Sequence, residues 1–181
     1  MKTLEVLVAM SLLSSPCNLN KQVDCPTMAD TQTTYICPKE CYHEDDGDSF
    51  YCGKVEIRLL GADTPEICHP KDGIFIDQEY GREAAGFTYQ TLTEAQNITI
   101  IEAGVDKYGR VLAHVNVDGE LLSVKLIKAG LAYETISVYG DNDMPTFAEQ
   151  TLFAFHAMPQ PLFQNPHDWR KEHQIKVETK F

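Results

Sequence analysis

Basic residues are scarce in this 181-residue chain: 15 Lys and Arg stand against 27 Asp and Glu, a formal net charge of −12. So acidic a chain does not hold polyanions by bulk charge, and a nucleic-acid partner would have to be recruited by a local basic cluster. Cysteine is absent beyond Cys68, all six lying at positions 17, 25, 37, 41, 52 and 68. There is no repeat or low-complexity tract, and the apolar run at the N-terminus is too short to anchor a chain across a bilayer. What is present, 43% hydrophobic and 23% charged residues, suits one soluble globular domain with a full core.

The segment from Met1 to Ser15 has one early Lys, a short apolar stretch and then small residues, the layout of an export signal over residues 1–16. That layout predicts a secreted protein or a periplasmic or envelope-associated one. Clustered cysteines of even number fit an oxidising compartment, with disulfides whose connectivity the sequence leaves open. Zinc held by Cys37, Cys41, Cys52 and Cys68 with nearby His43 and His69 is the alternative, but only one close Cys pair exists and no second repeats its spacing. Residues 17–34 read as a polar linker or irregular extension, residues 35–170 as the folded domain, and residues 171–181 as a short, loosely held charged tail.

Strand-like runs follow in quick succession over 35–44, 49–52, 54–60, 97–102 and 110–117. Val55, Ile57 and Leu59 alternate with polar residues, which sends the aliphatics inward and Arg58 to the opposite face; Val111, Ala113, Val115 and Val117 alternate likewise, leaving His114 outside. Asp46-Gly47 and Asp118-Gly119 are pairs that close tight hairpins, because Gly tolerates positive φ. Helices are predicted over 80–95, after Ser123 as N-cap up to Gly130, and from Pro145 to the break at Pro159. This order gives an α+β fold, an OB-fold five-stranded barrel with about three packed α-helices.

Four carboxylates, Glu44, Asp45, Asp46 and Asp48, crowd one turn and repel one another unless solvent or a cation screens them. Downstream, Asp63-Thr64-Pro65-Glu66 follows the Arg58 strand. Pro65 biases Thr64 to an extended conformation that can aim its carbonyl and the Asp63 carboxylate at one point, a donor mixture suited to hard cations. Asp106-Lys107-Tyr108-Gly109-Arg110 forms a polar turn between the fourth and fifth strands.

Taken in order, Asp46-Gly47-Asp48-Ser49, Ile57-Arg58-Leu59-Leu60-Gly61-Ala62-Asp63-Thr64-Pro65-Glu66, Tyr80-Gly81-Arg82-Glu83-Ala84-Ala85 and Asp106-Lys107-Tyr108-Gly109-Arg110 closely resemble the thermonuclease family, the staphylococcal-nuclease-like domain. Asn116-Val117-Asp118-Gly119 and the stretch from Leu126 to Ala132 continue the likeness, which runs from about Cys41 to Leu131. The resemblance implies a Ca²⁺-dependent nuclease that hydrolyses phosphodiester bonds of DNA and RNA with little sequence specificity; single strands are the expected preference, and nothing in the sequence demands a stable protein partner or more than a monomer. It assigns catalysis to Arg58, Glu66 and Arg110, metal ligation to Asp48, Asp63 and the Thr64 carbonyl, and phosphate contact to Lys107 and Tyr108. Tyr139 is the candidate for stacking on a base, with Tyr133 competing for that role. Asn165-Pro166-His167-Asp168-Trp169-Arg170 resembles the closing Trp-Arg segment of bacterial members. The net charge predicts weak, salt-sensitive substrate binding. The rival readings are a non-catalytic OB-fold module that binds nucleic acid or protein, and a cysteine-rich metal-binding protein.

Overall fold

The alternating aliphatics build a sheet. The structure is a computed structural model describing Cys25 and residues 34–175. The export-signal segment and, Cys25 and Thr34 apart, the linker lie outside the described residues. Nine strands and five α-helices succeed one another among the described residues: β1 (Thr34–Ile36), β2 (Tyr42–Glu44), β3 (Ser49–Cys52), β4 (Val55–Leu59), β5 (Ala62–Asp63), α1 (Gly81–Glu94), β6 (Ile98–Val105), β7 (Val111–Val117), β8 (Glu120–Leu121), α2 (Leu122–Lys128), β9 (Tyr133–Glu134), α3 (Ile136–Tyr139), α4 (Pro145–Ala157) and α5 (Pro166–His173).

The main sheet runs β1-β6-β7-β4-β3-β2, with β8 added to β7, while β5 and β9 form a separate two-stranded ribbon. β4 and β7 pair in parallel, Arg58 beside Leu112; the neighbouring pairs are antiparallel. The sheet curls into a half-barrel carrying the helices, an OB-fold of the α+β class. Its inner face is made by Phe50, Val55, Ile57, Val111, Ala113 and Val115, all fully buried, and closed by Leu92 of α1 and Leu122, Leu126 and Ile127 of α2. Each such large aliphatic contributes about 1.5–3 kcal/mol by leaving water.

Several local expectations are corrected. The run over 35–44 is not one strand, because a 3₁₀ turn at Lys39–Cys41 divides it into β1 and β2, which join different edges of the sheet. Ser123 is not an N-cap: α2 starts at Leu122, and Ser123 turns inward to Thr151 of α4, hydroxyl to hydroxyl at 3.4 Å. His114 is not on an outer face in water. Its side of β7 is covered by α4, where its ring meets that of Phe147 with centroids 5.0 Å apart, and it is fully buried. Chain beyond Trp169 is not loose as far as Ile175, whose N–H donates to the Gly73 carbonyl at 2.9 Å, while Gln174 Nε2 donates to the Asp72 carbonyl at 2.7 Å.

Cys25 is bonded to Cys41 and Cys37 to Cys52, which removes Cys37, Cys41 and Cys52 from the zinc alternative. The second link fastens the chain after β1 to β3 of the hairpin that bears the acidic turn, and the first ties Cys25 to the 3₁₀ turn that leads into that hairpin.

Candidate active site

The acidic turn folds inward. Asp46 Oδ1 accepts the N–H groups of Asp48 at 3.0 Å and Ser49 at 2.6 Å, an Asx turn that satisfies the backbone locally and leaves Asp46 and Asp48 buried. The expectation of positive φ at Gly47 does not hold; that geometry belongs to Gly119 in the other Asp-Gly pair, at φ 93°. Gly47 is needed for space. A Cβ there would stand 2.6 Å from Thr64 Oγ1 and 2.9 Å from Ala84 Cβ, so only glycine lets the turn lie against both the Thr64 loop and α1. Thr88 of α1 completes the seam by donating to the Gly47 carbonyl at 2.6 Å.

The pairing of Ser49 with Arg58 brings the turn to the outer face of β4. Arg58 Nη1 is bound to Asp48 Oδ1, and Nη2 donates to Asp63 Oδ1 at 3.0 Å. Asp48 Oδ2 accepts the Thr64 N–H at 2.9 Å. Glu66 is fixed through its backbone: its N–H donates to Gln78 Oε1 at 3.2 Å and its carbonyl accepts the Gln78 N–H at 2.8 Å. Gly81, the first residue of α1, packs on that same Glu66 carbonyl, where a Cβ would collide. Asp48, Arg58, Asp63, Thr64 and Glu66 are therefore brought together, as the sequence leads one to expect.

Burial, then the neighbouring carboxylates of Asp46 and Asp63, lifts Asp48 well above the usual carboxylate range despite the pull of Arg58. Asp46 is raised by burial against the pull of Arg58, with Glu66 and Asp45 adding to the rise. Glu66 is raised by burial and then by Asp48, with Arg170 opposing. Burial alone would lower Arg58, but Asp48, Asp63, Asp46 and Glu66 outweigh it and hold the guanidinium charged. Four carboxylates (Asp46, Asp48, Asp63, Glu66) face two guanidiniums (Arg58, Arg170), an excess of two formal negative charges. Among the described residues no three His, Cys, Asp or Glu side chains close on one point. Asp48 and Asp63 meet on the Arg58 guanidinium with the Thr64 backbone beside Asp48, and carboxylate oxygens of this kind suit a hard divalent cation that completes its shell with water and offsets that excess.

The turn between β6 and β7 is built differently. Asp106 Oδ1 accepts the N–H groups of Tyr108 and Arg110, and Asp106 Oδ2 holds Arg110 Nε at 2.8 Å. Burial works against it, but these donors keep Asp106 below the usual range. Tyr108 stands out into solvent, 72% exposed, with Lys107 Nζ 4.9 Å and Arg110 Cζ 5.6 Å from its ring centre. The alternation of β7 puts Arg110 on the same outer face as Arg58, diagonal to it across the β4/β7 pair, yet its guanidinium is tied to Asp106 and not to the carboxylate cluster.

Tyr139 ends α3 with its ring exposed, outside the cluster. Tyr133 pairs with Asp63 in the β5/β9 ribbon, but its hydroxyl donates to the Phe163 carbonyl at 3.0 Å and its ring packs on Phe155 and Phe163, so it serves the scaffold.

Two site residues escape the sequence reading. Arg170 of α5 binds Asp63 with both Nη atoms, at 3.0 and 2.9 Å, and shares Nη1 with Glu66 Oε1. The closing Trp-Arg segment hints at it without giving it a role. For Gln78, whose amide joins the Glu66 N–H to the Gln164 carbonyl, the sequence carries no signal.

The family model described as "Staphylococcal nuclease homologue" matches residues 56–152. A thermonuclease of Staphylococcus intermedius is 39% identical over 92 residues, 48% of this chain and 53% of its own length. Endonuclease YncB of Bacillus subtilis is 37% identical over 93 residues, 48% of this chain and 43% of its own. A probable staphylococcal-like nuclease of rice, CAN1, is 23% identical over 129 residues, 70% of this chain and 35% of its own. The chain spans about half the length of the curated thermonucleases it matches. The match takes in Arg58, the Asp63–Glu66 turn and Arg110 but neither the Asp46–Asp48 turn nor Arg170, and with more than half of its residues inside that model the chain belongs to the staphylococcal nuclease homologue family.

Proposed function

We propose that this protein is a Ca²⁺-dependent nuclease hydrolysing phosphodiester bonds of DNA and RNA with little sequence specificity. The observation that carries the reading is one arginine, Arg58, bonded to both Asp48 and Asp63 beside Glu66, inside a buried cluster left two negative charges in excess. Asp48, Asp63 and the Thr64 carbonyl would hold the cation. Bound there, it supplies Lewis acidity toward a phosphate oxygen and a fixed positive charge.

Glu66 takes the proton of the attacking water. Arg170 holds its Oε1, and among the described residues no hydrogen bond engages Oε2, which is left to orient that water. A new P–O bond forms to the water oxygen, the bond to the leaving oxygen breaks, and that oxygen takes a proton from solvent. Arg58 spends donors of Nη1 and Nη2 on the carboxylates and has five N–H groups, so the remainder can face the phosphoryl oxygens as charge builds. Arg110 would add a second guanidinium from the adjacent strand. Lys107 and Tyr108 would meet the substrate beyond the scissile phosphate, single strands being favoured because their bases are free to stack. The disulfides support a secreted or envelope location.

The test is hydrolysis of single-stranded DNA with Ca²⁺ or with a chelator, running Glu66→Gln beside the parent. Activity that needs Ca²⁺ and collapses in the variant is expected. A parent inactive under every condition overturns the reading in favour of a binding module.

A further inference from the structure

The arginine that reaches the cluster from the far end of the chain is built in on both sides. Before α5, the Phe163 ring sits against Tyr80 and Tyr133, its carbonyl accepts the Tyr133 hydroxyl, and the Gln164 carbonyl accepts Gln78 Nε2 at 2.6 Å. Asn165 caps the helix by accepting the His167 N–H at 3.0 Å, and Trp169 is buried. After α5, Ile175 and Gln174 are bonded to Gly73 and Asp72. The helix is thus a strap tied down at both ends, and Arg170 is the side chain it delivers to Asp63 and Glu66.

We propose that Arg170 is a positioning residue of the site: its fork fixes the Asp63 carboxylate by both oxygens and the Glu66 carboxylate by one, and its charge offsets the cluster so that a divalent cation binds there less tightly than it otherwise would. A glutamate has three rotatable side-chain bonds, and the Gln78 contacts restrain only the Glu66 backbone. Arg170 restrains the carboxylate itself. A guanidinium suits this because its planar fork holds one carboxylate bidentately in a fixed geometry while reaching a second, whereas an ammonium is a point charge whose donors rotate freely. The same fork engages both oxygens of Asp63, so an incoming cation must share that carboxylate with it.

The catalytic arm of this proposal rests on the nuclease reading; the cation-binding arm does not. The test titrates the parent, Arg170→Gln and Arg170→Lys with Ca²⁺ alone by calorimetry and measures kcat and KM on single-stranded DNA for each, with near-ultraviolet circular dichroism as the check of folding. Removing the charge in Arg170→Gln is expected to tighten Ca²⁺ binding about 10-fold, while kcat falls about 100-fold and KM stays within about 3-fold. In Arg170→Lys, which keeps the charge and loses the fork, Ca²⁺ affinity should return to the parent value and kcat should stay low. Loss of a merely structural tie would weaken Ca²⁺ binding and raise KM, so weakened or unchanged affinity in a folded Arg170→Gln overturns the proposal, as does an unchanged kcat in an active parent. If the parent itself shows no hydrolysis, the nuclease reading falls and the cation arm alone decides: tighter binding sustains the charge role of Arg170, and unchanged or weaker binding ends it.

Discussion

Two charged regions share one face of the sheet and are held by opposite means. The cluster around Arg58 is buried, and its carboxylates bond to side chains or backbone from β4, the Thr64 loop and α5. The Arg110 turn is closed by one local carboxylate, and its tip stands in water. In the first, low dielectric makes every charge expensive to leave unpaired and its geometry hard to disturb. In the second, solvent screens the ions and the side chains adapt cheaply. Under the proposed function, one rigid part would hold the reacting phosphate and one pliant part would accept varied sequences.

The contrast predicts unequal costs for two arginines of similar proposed role. Arg58→Ala should abolish measurable hydrolysis and destabilise the fold by about 3–5 kcal/mol, because Asp48 and Asp63 lose a shared buried partner. Arg110→Ala should cost activity about 100-fold while changing stability by at most about 1 kcal/mol. Chemical denaturation beside kinetics reads both, and equal stability losses would erase the distinction. Next in size, Gly47→Ala should destabilise by about 1–3 kcal/mol through its collision with Thr64 and Ala84, seen as a lowered denaturation midpoint at unchanged slope.

A third buried polar place sharpens the comparison, for His114 has no hydrogen-bond partner for either ring nitrogen among the described residues. Burial pushes its pKa down to about 4. The unfolded chain takes up this proton near pH 6.5, the folded one only near 4, so the contribution is full above about 6.5 and lost as pH falls toward 4. The buried carboxylates, raised above their unfolded values, act with the opposite sign. The difference in stability between His114→Leu and the parent at pH 7 and pH 4.5 isolates the histidine: the variant should gain relative to the parent on acidification. Smallest of all, Tyr108→Ala should raise KM about 5-fold and leave kcat alone, an effect that fades as added salt weakens binding in both proteins.

The strand faces of Val55, Ile57 and Leu59 and of Val111 to Val117 are legible from alternation alone, because a period of two leaves no choice of face once the core is apolar. His114 breaks that rule. Alternation says which side of β7 it occupies and not whether α4 covers that side. The members of the cluster can be read from the spacing of Asp48, Arg58, Asp63, Thr64 and Glu66 through their likeness to a known family. Gly47 is found there too, but for the wrong reason, since a turn formula speaks of φ and is silent about a helix whose Ala84 would stand 2.9 Å from any Cβ placed there. Arg170 and Gln78 act across long loops, and no local pattern encodes such a meeting.

The contact that completes the cluster joins residues 107 positions apart in the case of Asp63 and 104 in the case of Glu66. During synthesis the chain therefore holds its acidic turn, Arg58 and Glu66 for more than a hundred residues before the strap that steadies them exists. In a nascent chain the site therefore stays unfinished until α5 has emerged, and its assembly waits for that helix to dock.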